Sequence, residues 1–247
     1  MRIVFSRKGF DSSAGGGPSP ILATSEGPPG RPVSLPIPSG TASATTYGDL
    51  GLGELAASAS RGKLSANDLC HHDPMFLPDG TCVFGQHGAA QTHLERQGVG
   101  IGDVFVFFGL FADKRPEEPH HRIFGYLRVE EMIALADGVP QDLVDLSHPH
   151  ALAMHSANDV IWRGEGRVAN RASDTLRLTV SGGSPSLWQR PEWLKRGGLS
   201  YHDREERWMR GGILRSVARG QEFVADIGRR KAPREWLERV IADILRD

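Results

Sequence analysis

Cysteine is scarce in this chain: Cys70 and Cys82 are the only two in 247 residues, and they form no CxxC pair. That excludes a disulfide framework and a thiolate metal knuckle, and both thiols are expected to stay reduced. Excess charge of either sign is also missing, since 29 Lys and Arg stand against 30 Asp and Glu for a formal net charge of −1. A chain so balanced has no global positive field to hold a polyanion regardless of its sequence, so any nucleic-acid contact must be local. Long apolar runs are absent too. The opening segment, MRIVFSRKGF, breaks its apolar stretch after IVF, which leads to the expectation of a cytoplasmic protein that engages no membrane. Several catalytic signatures are lacking as well. There is no glycine loop followed by Lys-Ser/Thr, no GxSxG elbow, and the GLGELA of residues 51–56 has no preceding strand to make it a dinucleotide fingerprint.

What is present is a chain rich in turn formers, with 30 Gly and 16 Pro, and an apolar fraction of 39% that suffices for a core. Residues 3–5 form a β-prone run that feeds the loop SRKGFDSSAGGGPSP, and residues 25–45 continue the Gly/Pro/Ser pattern in a form no helix survives. Residues 85–97, GQHGAAQTHLERQ, predict a helix. GDVFVFFGLF and RIFGYLRV read as paired strands, with further strands at DVIWRG and LRLTVS. In PREWLERVIADILRD, the residues Trp236, Leu237, Val240, Ile241, Ile244 and Leu245 line one face of a helix whose first turn suits Pro233. No internal repeat and no linker divides the chain. We therefore expect one α+β domain over residues 1–247, with a central, mostly antiparallel sheet and a C-terminal amphipathic helix.

Three segments carry candidate chemistry. Arg7, Lys8, Asp11, Ser12 and Ser13 combine cations, a carboxylate, hydroxyls and nearby glycines, a set that can cradle a phosphate and place an acid or base. CHHDP brings His71 and Asp73 together. It lacks HxxxH or CxxC spacing, so no metal ligand is assigned and no cofactor is identified. RGQEFV offers Arg219, Gln221 and Glu222, side chains able to bind phosphate or read a base edge. If the last strand lies beside the first, this segment meets Asp11.

The order FSRKGFDSSAGGGPSPI, SLPIP, TYGDL, CHHDP, GQHGAAQTHL, GDVFVFFGLF, HRIFGYLRV, HPH, LSYH and RGQEFV resembles the nucleotide modification associated domain 3 family over nearly the whole chain. The resemblance implies a part in nucleic-acid base hypermodification, with a nucleic acid or nucleotide as partner alongside other base-modification enzymes. It carries over Arg7, Lys8, Ser12, Ser13, Gln86, Gln91, His93, Arg219 and Gln221 as substrate-binding residues, and Asp11, His71, Asp73 and Glu222 as catalytic ones. GDVFVFFGLF with HRIFGYLRV also resembles the strand pair of PUA-like barrels such as ASCH and EVE domains, which hold a base beside a small barrel. Two other functions remain open at this point: a non-catalytic reader of a modified base that recruits an enzyme, and a metal-dependent hydrolase or lyase.

The charge balance generates a first prediction. The isolated protein is expected to bind undamaged duplex DNA weakly, with affinity falling steeply as salt rises. Titration at two salt concentrations checks this, and tight binding that persists at high salt would reveal a direct readout surface.

Overall fold

A segment such as VFVFFGLF has apolar side chains at odd and even positions alike, so as a strand it must be covered on both faces. It occupies such a place here. The computed structural model describes residues 1–25, 29–40, 43–113, 119–217 and 222–246. Its strands are β1 (Arg2–Arg7), β2 (Ser19–Leu22), β3 (Arg31–Pro32), β4 (Met75–Phe76), β5 (Thr81–Gln86), β6 (Val104–Asp113), β7 (His120–Ala134), β8 (Val160–Val168), β9 (Leu187–Gln189), β10 (Trp208–Met209), β11 (Ile213–Arg215) and β12 (Glu222–Asp226). The helices are α1 (Gly53–Ala59), α2 (Gly88–Arg96), α3 (Gln141–Asp145), α4 (Pro149–Leu152) and α5 (Lys231–Ile244).

The large sheet runs β12-β1-β6-β7-β8-β5-β4, with β2 beside β6 and β3 beside β2, while β9–β11 form a separate small sheet. Pairing is antiparallel except where β1 and β2 each run parallel to β6. The sheet curls into a half-barrel. Gln86 at the end of β5 hydrogen-bonds Glu222 at the start of β12 at 2.6 Å. In a flat sheet, five strand spacings would hold those strands about 24 Å apart. The expected class, a single mostly-sheet α+β domain closed by a C-terminal helix, is the one observed.

Alternation along the strands divides the core. Ile3, Phe5, Val104, Val106 and Phe108 pack with Leu237, Val240, Ile241 and Ile244 of α5 and with Trp188 and Leu214 of the small sheet. Val4, Phe105 and Phe107 face the other way, with Phe84, Trp162 and Leu94 of α2. Two smaller clusters support the functional loops: Phe10, Leu35, Tyr47 and Ala56 beneath the loop after β1, and Met75, Val83, Leu143 and Ile161 beneath α3 and α4. The Gly102–Asp103 turn before β6 is tied to β1, because the Asp103 carboxylate accepts the Arg2 amide at 2.6 Å. Among the described residues no helix is long and apolar enough to cross a membrane.

Two expected elements differ. The helix anticipated over residues 85–97 begins only at Gly88, because Gly85 and Gln86 complete β5 by pairing with Ile161 and Val160 of β8. LRLTVS builds no strand. Its amides bond in turn to the carbonyls of His121 and Leu187, giving isolated bridges where a ladder would need one continuous partner. The small sheet and β5 were not anticipated.

Phe105 is fully buried on β6 with its ring 5.2 Å from Phe84 and 5.3 Å from Trp162. Phe105→Ala is expected to cost about 3–5 kcal/mol by loss of transfer energy and creation of a cavity. Leu245→Ala, half-exposed at the end of α5, is expected to change stability by less than about 0.5 kcal/mol. Chemical denaturation of the two variants measures the contrast.

Candidate functional site

Where β1 ends, the backbone continues along β6 through the Lys8 amide, which donates to the Phe108 carbonyl at 2.8 Å. The chain then turns on a plug. Phe10 is wholly buried and meets Tyr47 edge-on at 5.9 Å. Gly15, at φ +87°, lies so close that a Cβ there would sit 2.4 Å from the Phe10 ring, so the loop's return requires glycine. Asp11 organises the tip by accepting from the Ser13 amide and hydroxyl at 2.7 Å and the Ala14 amide at 2.8 Å. Its other oxygen meets Arg7 at 3.0 Å. Burial alone would raise its pKa, but the Ser13 and Ala14 hydrogen bonds and the Arg7 charge outweigh that and hold it below the usual carboxylate range.

Beneath this loop lies Glu222. The antiparallel pairing of β1 with β12 sets Ser6 opposite Glu222, so the last strand does lie beside the first. The carboxylate has no solvent exposure, stands 3.5 Å from the Lys8 ammonium and accepts the Gln86 amide at 2.6 Å. Lys8 also lies over the Phe84 ring at 4.1 Å. Burial pushes the Glu222 pKa up, and the charge of Lys8 with the hydrogen bonds from Gln86 and Lys8 offsets that only in part.

The opposite wall is built from the ends of β5 and β8 and the segment between β7 and β8. Asp73, nearly buried, accepts the Gly85 amide at 3.0 Å and has His148 Nε2 at 3.4 Å. Burial opposes its ionisation, yet the contact with His148 and the nearby Lys8 and His150 keep its pKa well below the ordinary range. His148 caps α4 by accepting the His150 amide. The His150 ring occupies the space a side chain on Gly85 would take, since a Cβ there would fall 2.3 Å from its Cδ2. His150 Nδ1 bonds Asp159 at 2.5 Å, and the second oxygen of Asp159 accepts the His155 amide at 2.8 Å. His155 stacks on His150 at 4.4 Å, and His71 meets both rings edge-on at 5.7 and 5.3 Å. Burial, reinforced by the neighbouring His150 and Lys8 and opposed by Asp73, lowers the His71 pKa to about 4, so its imidazole is neutral.

Between these walls lies a cleft of about 670 Å³ whose lining includes Arg7, Lys8, Asp11, Ser13, His71, Asp73, Gln86, His87, His150 and His155. Of the residues selected from sequence, Arg7, Lys8, Asp11, Ser13, His71, Asp73 and Gln86 converge on it, with Glu222 directly behind Lys8 and Gln86. Ser12 is exposed beside the cleft and does not line it. Gln91 is buried on α2, where its amide donates to Glu95. His93 bonds Ser200 and packs against Tyr201, away from the cleft lining. Arg219 and Gln221 lie outside the described residues. Sequence reading missed His155 and Asp159, left His87 on the predicted helix without a site role, and took HPH only as part of a resemblance. The signal was the spacing of His148, His150, His155 and Asp159 within HPHALAMHSAND.

The Glu222 environment makes a pH prediction. With its folded pKa raised, Glu222 favours the folded state fully below the ordinary value of 4.5, and that contribution is lost as pH rises through the folded value. Glu222→Gln keeps the shape and cannot ionise. Its stability relative to the unmodified protein is therefore expected to improve from pH 4.5 upward, as read by denaturant midpoints. A difference that stays constant with pH would show that burial does not govern this carboxylate.

No curated protein and no solved structure shows significant similarity to the chain. The model of the nucleotide modification associated domain 3 family matches residues 2–226 of its 247. Nearly the whole described half-barrel and every residue of the cleft lie within that match, and the chain belongs to this family.

Proposed function

We propose that the cleft binds a phosphorylated nucleoside, free or within a nucleic acid, and takes part in modifying its base. The observation that carries this reading is the convergence of Arg7, Lys8, Ser13, His71 and Gln86, from three separate segments, on one cleft of about 670 Å³ in a chain of a nucleotide-modification family. That volume falls in the range that encloses ligands of this size. Arg7 and Lys8 supply charge for phosphate oxygens, where charge-assisted bonds are the strong ones. The Gln86 amide, held by Glu222 and the His87 amide, and the Ser13 hydroxyl, held by Asp11, keep their remaining hydrogen-bonding capacity for a base edge or sugar.

In this reading the carboxylates position other groups and do not themselves move protons. Asp11 fixes Arg7 and the loop tip, Glu222 fixes Lys8 and Gln86 from behind, and Asp73 anchors the strand end and His148. His71, kept neutral by burial, presents an imidazole lone pair to the ligand space. A smaller groove of about 260 Å³ shares Gly9 and Asp73 with the cleft and is lined by Phe76, Phe124 of β7, Arg31 and Asn170. Its aromatic wall beside the β6–β7 pair suits a flanking base, which is how the PUA-like resemblance enters and what favours a nucleic acid over a free nucleotide. Free, buried Cys70 and Cys82 fit a reducing, cytoplasmic setting.

Calorimetry with nucleoside monophosphates and a short single strand tests the reading. Arg7→Ala and Lys8→Ala are each expected to weaken binding roughly 10- to 100-fold, the value of one charge-assisted bond. For Arg7→Ala the melting temperature should hardly move, because its partly exposed pair with Asp11 contributes little stability. A fall of many degrees with binding intact would make the loop a structural feature. Mass spectrometry of the recovered ligand separates an enzyme, which alters it, from a reader, which returns it unchanged.

A further inference from the structure

His71, His150 and His155 come from the loop before β4, from α4 and from the segment before β8, yet their ligand-capable atoms all lie within 4.8 Å of one another. Ring packing alone does not account for how they are held. His150 Nδ1 is bound by Asp159 and His155 Nδ1 by the Ala153 carbonyl, each at 2.5 Å. A bond on Nδ1 fixes the ring and the tautomer and leaves the Nε2 lone pair available, which is how proteins prepare histidines as metal ligands. The charge also fits. Behind the three rings stand two buried carboxylates, Asp73 and Asp159, which together balance a dication that neutral imidazoles alone would leave uncompensated.

We propose that His71, His150 and His155 form a three-histidine site for one divalent first-row transition ion, with its open side facing the cleft. Imidazole donors select ions such as zinc or iron(II) over magnesium and calcium, which take oxygen ligands. Nitrogens about 2.0 Å from a tetrahedral ion lie roughly 3.3 Å apart, so the rings need to close by on the order of 1 Å. All three histidines line the cleft that holds Arg7, Lys8 and Gln86, which leaves the remaining coordination position to water or ligand. An ion in that position would polarise a bound oxygen or lower the pKa of a bound water, and His71 would then act as a ligand. Asp159 is a positioning residue that acts through His150 and His155. The site does not depend on which ligand the cleft takes.

The test uses the full chain stripped with a chelator, titrated with zinc chloride in the absence of nucleotide and, separately, followed by the visible absorption of added cobalt(II). One equivalent of zinc is expected to bind. His71→Ala and His155→Ala should each weaken binding by about 100-fold or more and abolish the cobalt bands, and Asp159→Asn by roughly 10- to 100-fold. His93→Ala, outside the cleft, should bind as the unmodified protein does. His71 and His155 are only partly buried, so these variants are expected to fold, which circular dichroism verifies even if His150→Ala does not. Absence of stoichiometric zinc binding, or binding unchanged in folded His71→Ala and His155→Ala, overturns the proposal. Because no nucleotide is present, neither result depends on the reading of the cleft's ligand.

Discussion

A carboxylate without solvent contact, Glu222, joins the first strand of the sheet path to β5, five strands along it. It starts β12, pairs across to Ser6 of β1, and receives hydrogen bonds from Lys8 and from Gln86 of β5. Burying such a group costs several kcal/mol unless its oxygens are met by well-placed donors. Here one oxygen takes both donors, from Gln86 of β5 and from Lys8 just past β1, which only the curl of the sheet brings together, while the other oxygen is buried without a hydrogen-bond partner among the described residues. The curl and the polar junction therefore depend on each other: the half-barrel closes where Gln86 reaches Glu222, and the cleft opens immediately above that contact.

The same economy governs the other acidic groups of the cleft. Asp11 spends its oxygens on the loop amides and Arg7, Asp73 on the Gly85 amide with His148 nearby, and Asp159 on His150 and the His155 amide. Each holds a different wall element in place, and the groups left facing the open volume are cations, an amide, a hydroxyl and neutral imidazole. Such a set offers positive charge and lone pairs to the open volume. On the proposed reading, the cations serve the phosphate of the ligand and the imidazoles face the same volume, a local arrangement that needs no basic surface in a chain of near-zero net charge.

Glycine has a specific part in this. At Gly85 the strand has room for the His150 ring only because no Cβ is present, and at Gly15 the loop folds over Phe10 for the same reason. Both positions lie where two elements approach more closely than side chains permit. One sets the histidine wall and the other sets the loop that carries Arg7, Lys8 and Asp11.

Periodicity made β1, β6, β7, β8 and α5 legible in the sequence, because apolar alternation and a helical stripe are local consequences of which faces must be buried. Residue chemistry likewise marked Arg7, Lys8, Asp11, His71 and Asp73, and the order of motifs indicated the family and, through it, Gln86. The start of α2 was misplaced and β5 was overlooked because TCVFGQ becomes a strand through pairing with β8, a partner nearly eighty residues away. Gln91 and His93 share a helix with no path to the cleft, which spacing along the chain could not show. The complete histidine set was beyond sequence reading for a related reason: His71 lies far from His150 and His155 along the chain. The spacing within HPHALAMHSAND marks His150 and His155 together, but nothing local ties His71 to them until the long-range contacts of the curled sheet bring it within reach.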